Sequence, residues 1–201
     1  MTSGSDVSDP HATRVVIAED EAIIRLDLKE LLQEDGYDVV GETGRGDEAV
    51  ELVRDLRPDL VILDIKMPGL DGLSAAREIA RDRLAAVLMV TAFSQRELVE
   101  QARDAGALAY LVKPFQKSDL IPAIEVALGR FAEISALERD VEDLQARLEA
   151  RKNIDRAKGR LMDGHGLAEQ DAWRFLQQQA MANRVKIDEI ARRVVDGELI
   201  P

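Results

Sequence analysis

The chain has 201 residues, of which 46% are hydrophobic and 33% charged, and its formal net charge is −12. This balance is typical of a globular protein, and no apolar run approaches the ~18 residues that a membrane span needs. The absence of cysteine excludes disulfides and thiolate metal sites, whereas ions that prefer oxygen ligands, such as Mg²⁺, are compatible with the composition.

The first twelve residues, MTSGSDVSDPHA, are polar and rich in glycine, serine and aspartate. They have neither the basic nor the apolar stretch of a signal peptide, so we expect a disordered arm over residues 1–12 and a cytoplasmic protein. The two histidines, His11 and His165, are far apart in the sequence and cannot form a zinc site without carboxylate ligands.

Residues 13–130 alternate short β-branched runs with amphipathic helical patterns, which is typical of βα units on a parallel sheet. The third and fourth predicted strands, LVIL and AVLMV, are apolar throughout, as strands covered on both faces must be. We therefore predict an α/β domain of five βα units, (βα)5, in the doubly wound, flavodoxin-like arrangement. The predicted strands are Arg14–Ala18, Tyr37–Gly41, Leu60–Leu63, Ala86–Val90 and Ala109–Val112.

Polar residues follow the carboxyl ends of four of these strands. Glu19 and Asp20 follow the first strand, Asp64 the third, Thr91 the fourth and Lys113 the fifth. Because ligands of parallel α/β sheets bind at this edge, we expect these side chains to converge. Three crowded carboxylates suit a hard divalent cation such as Mg²⁺, while an ammonium and a hydroxyl suit phosphoryl oxygens. A single Asp after a strand is more often a turn former. The prediction of a phosphoryl-accepting site therefore depends on all five residues together and not on Asp64 alone.

The motifs AEDE, LDIKMPGLDG, VTAFS and AYLVKPF resemble the receiver domain of bacterial two-component response regulators, over residues 13–130. The resemblance implies phosphorylation by a sensor histidine kinase and a cis bond before the proline of the last motif. The residues it assigns to this chemistry are Asp64 as the phosphoacceptor, Glu19, Asp20, Asp64 and the Lys66 backbone carbonyl as magnesium ligands, Thr91 and Tyr110 as the switch pair, and Lys113 as the phosphoryl contact. Glu19 departs from the family in standing where many receivers have a second aspartate.

A phosphatase with an aspartate nucleophile is an alternative for the same residues. Such enzymes need a second carboxylate two residues after the nucleophile, and Lys66 occupies that position. The sequence also contains no P-loop and no GxGxxG fingerprint. We therefore expect a switch and not an enzyme, with no reaction beyond phosphorylation and dephosphorylation of its own aspartate.

From about Lys117 the sequence predicts helix, with a linker helix at residues 131–150. Five apolar residues in it recur at alternating spacings of three and four and form a heptad seam: Ile134, Leu137, Val141, Leu144 and Leu148. The seam predicts a short coiled coil between two copies, and the alternative is a helix packed on its own domain. Helical patterns then break at residues 163–166 and near Asn183, which predicts a small all-α unit of three helices.

Residues 151–160, RKNIDRAKGR, contain five basic residues and one acid. Lys152, Arg156 and Arg160 lie on one face of the predicted helix, where they can follow a row of phosphates. The alternative is a solvated face whose charges pair with neighbouring acids. Between residues 147 and 193 the basic residues outnumber the acidic ones, eleven to seven, although the whole chain is acidic.

This basic segment opens the stretch RKNIDRAKGRLMDGHGLAEQDAWRFLQQQAMANRVKIDEIARRVV, which resembles the ANTAR output domain of RNA-binding antiterminators over about residues 138–199. Such domains recognise paired RNA hairpins with short loops, and proteins in general read RNA in unpaired loops. Trp173 and Phe175 are predicted as core side chains and not as platforms for bases, because a small helical unit needs large residues to bury. The residues that the resemblance assigns to RNA are Lys152, Arg156, Lys158, Arg160, Asn183 and Arg184, while Asp163 and His165 stand where a basic residue is expected.

Together the two resemblances predict a receiver-ANTAR response regulator that is phosphorylated on Asp64, pairs through its linker helix, and binds RNA hairpins to disfavour a terminator. No membrane partner is expected. One alternative is a DNA-binding regulator, although the helix-turn-helix pattern with a polar recognition helix is missing. Another is an adaptor that binds only protein through its heptad helix.

Overall fold

The computed structural model describes residues 12–92 and 95–200, so residues 1–11 of the predicted disordered arm lie outside the described part of the chain. The chain divides into two compact units, Met1–Ile134 and Ser135–Pro201. The strands are β1 (Arg14–Ala18), β2 (Asp38–Thr43), β3 (Leu60–Leu63), β4 (Ala86–Thr91) and β5 (Ala109–Val112). The helices are α1 (Ala22–Glu34), α2 (Gly46–Leu56), α3 (Gly72–Arg81), α4 (Arg96–Asp104), α5 (Lys117–His165), α6 (Glu169–Asn183) and α7 (Ile187–Val195).

The sheet of the first unit is parallel and has the strand order β2-β1-β3-β4-β5, which confirms the predicted doubly wound α/β fold. The bounds of β1, β3 and β5 are those predicted, whereas β2 begins one residue later and ends two residues later than predicted. The pairing of β1 with β2 shifts register between Val15 and Val16, which leaves Val40 as an extra residue in β2. Apolar periodicity does not reveal such a bulge.

Two apolar layers cover the faces of this sheet. Val61 and Leu63 face the layer formed with α2, α3 and α4, whereas Leu60 and Ile62 face the layer formed with α1 and the start of α5. Successive residues of a strand point to opposite faces, so a strand with a layer on each side is apolar at every position. This explains the unbroken LVIL run, after which the chain turns polar at the sheet edge.

Helix α5 runs for 49 residues without interruption. It contains the predicted linker helix as well as the first helix of the C-terminal unit. The five residues of the heptad seam are 38% to 63% exposed. No helix in the described part of the chain has the length and apolar character required to cross a membrane.

The C-terminal unit packs the end of α5 with α6 and α7. On α6 the core residues are Ala172, Leu176 and Ala180, which are spaced by four and share one helix face. Phe175 packs half-buried against this core. Trp173 is 39% exposed and does not belong to the core, so the prediction of a core tryptophan was wrong. It lies one position, or about 100° of helix rotation, beyond the core face.

Candidate functional site

Three predicted carboxylates meet at the carboxyl edge of the sheet. Glu19 and Asp20 follow β1 and Asp64 follows β3, and each offers one oxygen atom within 4.8 Å of the other two. Glu19 is 1% and Asp64 7% exposed, while Asp20 is exposed. The topology therefore brings together the acids that the strand ends predicted.

Lys113 reaches this carboxylate cluster from the end of β5 and connects its two buried members. Its Nζ donates to Oε2 of Glu19 at 2.5 Å and to Oδ2 of Asp64 at 3.0 Å. Backbone amides hold the other two oxygens: Ile65 N donates to Oδ1 of Asp64 at 2.6 Å and Glu21 N to Oε1 of Glu19 at 3.2 Å. Both buried carboxylates are thus fixed in position by charge-assisted hydrogen bonds.

The protonation of the site reflects burial and neighbouring charge. Burial raises the pKa of the Glu19 carboxyl above its usual value, the charge of Asp64 adds to this, and the bond from Lys113 opposes it. Burial acts to lower the pKa of Lys113, but its hydrogen bonds to the two carboxylates outweigh burial and the pKa is raised. The ammonium is therefore charged at neutral pH, and the two buried carboxylates share it.

The predicted switch residues lie on β4, which pairs with β3, and on β5, the next strand of the sheet. Thr91 ends β4, is fully buried, and accepts a hydrogen bond at its carbonyl oxygen from Lys113 N at 2.8 Å. Tyr110 on β5 is half-buried against the α2–α4 layer, and burial followed by the charge of Asp64 raises its pKa. The bond from Lys113 to Pro114 is cis, as the resemblance implies.

Two glycines that the sequence analysis did not single out shape the loop that carries Asp64. Gly72 N donates to Ile65 O at 2.8 Å, and a Cβ on Gly72 would lie 1.8 Å from the carbonyl oxygen of Asp64. A Cβ on Gly46 would lie 2.0 Å from the carbonyl oxygen of Leu70 in the same loop. Only glycine fits at either position. Gly72 could have been found as the last residue of the LDIKMPGLDG motif, whereas no sequence signal pointed to Gly46.

A cleft of about 530 Å³ opens beside the carboxylate cluster. Its lining includes Asp20, Lys66, Met67 and Arg77. Lys66 is exposed at its rim, two residues after Asp64 in the chain. Asp20 lines this cleft, so the carboxylate cluster is open to solvent on that side.

The residues predicted to bind RNA lie on α5 and at the end of α6. Lys152 pairs with Glu149 at 2.7 Å, and Lys158 contacts two carboxylates at 2.9 and 3.1 Å. Arg156 is exposed on the same helix. The pair of Lys152 with Glu149 is exposed, and exposed ion pairs contribute little stability.

The other predicted RNA contacts also have structural partners. Arg160 donates to the carbonyl oxygens of Val194 and Val195, which ties α5 to the end of α7. Asn183 Nδ2 donates at 2.8 Å to a carbonyl oxygen one turn earlier in α6. Arg184 follows as the C-cap of α6, with a left-handed φ of 56°. Contact of these residues with RNA stays a prediction.

Both units match known domain families. The response regulator receiver domain matches residues 15–125 and the ANTAR domain residues 142–195. The chain therefore belongs to the response regulators, as a member in which a receiver domain precedes an ANTAR domain. Over 195 residues it is 56% identical to the transcriptional regulatory protein PdtaR of Mycobacterium tuberculosis, and the match covers 97% of this chain and 94% of PdtaR.

Solved structures resemble the receiver domain. The signal receiver domain of a modulated diguanylate cyclase from Desulfovibrio desulfuricans G20 is 32% identical, with a TM-score of 0.57, over 61% of this chain and 98% of that one. A CheX-CheY-BeF3-Mg complex from Borrelia burgdorferi is 26% identical, with a TM-score of 0.53, over 55% of this chain and 85% of that one. The fold around the carboxylate cluster is thus that of known receivers.

Proposed function

We propose that this protein is a response regulator that is switched by phosphorylation of Asp64, binds structured RNA and acts as a transcription antiterminator. One observation carries the proposal: Lys113 contacts both Glu19 and Asp64 in a pocket of the receiver, on a chain whose other unit matches the ANTAR family. The name of the relative PdtaR, a transcriptional regulatory protein, supports an output at transcription.

Asp64 is the proposed phosphoacceptor. A carboxylate oxygen attacks the phosphorus of a phosphohistidine on the cognate sensor kinase, so that a P–O bond forms, the P–N bond breaks and the imidazole leaves with the electron pair. Lys113 Nζ, which lies 3.0 Å from Oδ2 of Asp64, is near enough to contact a phosphoryl oxygen afterwards. The protein catalyses no reaction on another substrate.

The carboxylate cluster fits Mg²⁺ by the chemistry of its donors. Three carboxylate oxygens within 4.8 Å of one another are the hard ligands that this ion prefers, and Asp20 among them is exposed to solvent. We propose that Glu19, Asp20, Asp64 and the Lys66 carbonyl hold the ion, which when bound neutralises the charge of the phosphoryl oxygens. The presence of magnesium in the Borrelia CheY complex supports this assignment.

The proposed switch is the pair Thr91 and Tyr110. The Thr91 hydroxyl turns toward the phosphoryl group, and the half-buried Tyr110 ring moves inward behind it. The phosphoryl group must interact differently with the two arrangements of the receiver, because a ligand that favours neither shifts no equilibrium.

The proposed target is a pair of RNA hairpins in a nascent transcript, met in the cytoplasm. Two copies joined along the exposed heptad seam supply two C-terminal units, one for each hairpin. Lys152 and Arg156, at positions i and i+4 of α5, share one helix face and supply charge for the phosphates. Binding stabilises the hairpins and disfavours the competing terminator.

Replacement of Asp64 by Asn tests the proposal in the full-length protein. With a small phosphoryl donor and Mg²⁺, wild type should gain the mass of one phosphoryl group and D64N should gain none, since an amide oxygen does not form the acyl phosphate. Affinity for a two-hairpin RNA, measured by filter binding, should rise with phosphorylation in wild type alone. Asp55→Asn, exposed on α2, is the matched control and should behave as wild type.

Two outcomes would overturn different parts of the proposal. Phosphorylation of D64N to the wild-type level would remove Asp64 as the acceptor. Lack of RNA binding by wild type in both states would remove the RNA output and leave the receiver chemistry standing.

A further inference from the structure

The C-terminal unit has a small cleft beside its exposed tryptophan. The cleft measures about 270 Å³ and is lined by Lys158, Glu169, Gln170 and Trp173. This is slightly below the ~300 to 1,000 Å³ of pockets that take drug-sized ligands, so it suits a smaller molecule or one flat group of a larger one.

The exposure of Trp173 is not required by packing. The core face of α6 is complete with Ala172, Leu176 and Ala180, and Phe175 adds a large ring beside it. Trp173 nevertheless leaves 39% of its surface exposed, although tryptophan is the side chain with the most apolar surface to gain from burial. A large aromatic face held at the surface beside polar groups is the usual platform for stacking a planar ligand.

The charges at the cleft distinguish between possible ligands. Lys158 Nζ lies 2.9 Å from a carboxylate oxygen of Glu169 and 3.1 Å from one of Asp155, so an ammonium and two carboxylates lie side by side. Glu169 would repel a phosphate group that entered the cleft. The edge of a nucleobase carries both donors and acceptors and therefore complements a carboxylate next to an ammonium.

We propose that this cleft takes one unpaired nucleobase of an RNA loop, stacked on Trp173, with Glu169 accepting a hydrogen bond from its exocyclic amino group and Lys158 donating to a neighbouring ring or carbonyl acceptor. Adenine, cytosine and guanine have such an amino group and uracil does not, so the cleft selects against uracil. The inference rests on the proposed RNA output and adds the part of the RNA that is read and the residues that read it.

Trp173 is the only tryptophan of the chain, so its fluorescence reports on this cleft alone. The probe is a pool of two-hairpin RNAs with randomised loops, selected on full-length wild type in the presence of a phosphoryl donor. Titration with a selected RNA should quench the emission in step with binding measured on filters. Trp173→Leu should lose roughly five- to hundredfold in affinity, since base stacking on an aromatic contributes that much, and Trp173→Phe should lose less.

Met181→Leu is the matched control, because Met181 is 80% exposed on the same helix and does not line the cleft. It should leave both quenching and affinity unchanged. Selection repeated on Glu169→Gln should admit uracil at the loop position where wild type rejects it, since an amide can donate to a uracil carbonyl as well as accept.

The outcomes separate this inference from the function on which it rests. The base site would be overturned if RNA bound wild type without quenching the tryptophan fluorescence and if Trp173→Leu bound RNA with wild-type affinity. The RNA output would then remain intact. If wild type binds no RNA, the output and the base site both fall. Should Trp173→Leu fail to fold, quenching of wild type and the affinity of Trp173→Phe decide the matter.

Discussion

Asp20 is the exposed member of the carboxylate cluster, so it can be changed without leaving a buried polar atom. An ion that binds only the folded state raises the free energy of unfolding by about 1.4 kcal/mol when present at ten times its Kd. We expect Mg²⁺ to stabilise wild type in this way and Asp20→Asn to lose most of the increment. Urea unfolding with and without the ion measures it.

Asp27→Asn is the control for this experiment, since Asp27 is exposed on α1 and outside the cluster. It should keep the full Mg²⁺ dependence. An equal response of Asp20→Asn and wild type would show that the ion binds elsewhere.

Arg184 has a left-handed backbone that disfavours side chains with a Cβ, with φ of 56°, and Arg57 shares this conformation with φ of 47°. Glycine at either position should raise the free energy of unfolding by up to about 1 kcal/mol. If the Arg184 side chain binds RNA, R184G should be the more stable protein and yet bind RNA more weakly. Thermal unfolding and filter binding give the two quantities.

Arg57→Gly is the control with the same backbone in the receiver unit, and it should gain stability without change in RNA affinity. If R184G bound RNA with wild-type affinity, Arg184 would not belong to the RNA-binding surface. Its role would then be only that of the C-cap of α6.

The position of a single side chain could be predicted where the order of the strands determines it. It was harder to predict where the packing of helices determines it. Glu19, Asp64 and Lys113 each follow a strand of one parallel sheet. The carboxyl ends of these strands lie at the same edge of the sheet, so the convergence of the three side chains could be inferred from the sequence. Trp173 was assigned to the core by its size, but the core face of α6 is defined by Ala172, Leu176 and Ala180, which are four apart. Arg160 was assigned to the RNA face by helical spacing, and its contacts with the end of α7 depend on tertiary structure.

Among the elements, the loop between β3 and α3 depends on two glycines. Gly72→Ala should lower the free energy of unfolding by about 1 to 3 kcal/mol, because the new Cβ overlaps the Asp64 carbonyl and the loop has to move. The same shift displaces the acceptor carboxylate, so phosphorylation should also slow. Urea unfolding and the rate of mass gain from a phosphoryl donor measure the two effects.

Gly129→Ala in α5 is the matched control, because a Cβ there meets no heavy atom within 4 Å. It should gain up to about 1 kcal/mol from the helix propensity of alanine and phosphorylate at the wild-type rate. A Gly72→Ala variant as stable and as reactive as wild type would show that the loop tolerates the added methyl group.

The first and last residues of a strand or helix could be predicted from the sequence where an apolar pattern begins and ends with that element. The buried LVIL run has the same bounds in the structure as in the prediction, whereas β4 extends one residue beyond its predicted end, to Thr91. The bulge in β2 was not predictable, because it depends on the pairing of two strands and not on either alone. The extent of α5 was predictable, since the sequence predicts helix from about Lys117 and a first break at residues 163–166, and α5 ends at His165.

For the whole molecule, we predict that the heptad seam joins two copies of the chain. Leu137 and Leu144 are 59% and 63% exposed, and in a coiled coil they would be buried at the centre. Replacing both with lysine should convert a dimer into monomers in sedimentation equilibrium, since the charges would face each other. Affinity for a two-hairpin RNA should then fall toward that for one hairpin, because linked binding is lost.

Gln145→Lys, exposed beside the seam, adds a charge to the same helix without entering it and should remain dimeric. A wild type that is monomeric at all concentrations, with and without phosphorylation, would remove the seam as an interface.

Lys113 contacts two of the same carboxylates that a divalent cation would bind. In the structure Lys113 is therefore the counter-ion of these two carboxylates. A divalent cation held at the proposed site would share Glu19 and Asp64 with Lys113 and would weaken its contacts with them. Lys113 would then be available to the proposed phosphoryl group, so the proposal implies that magnesium binds before the phosphoryl group is transferred.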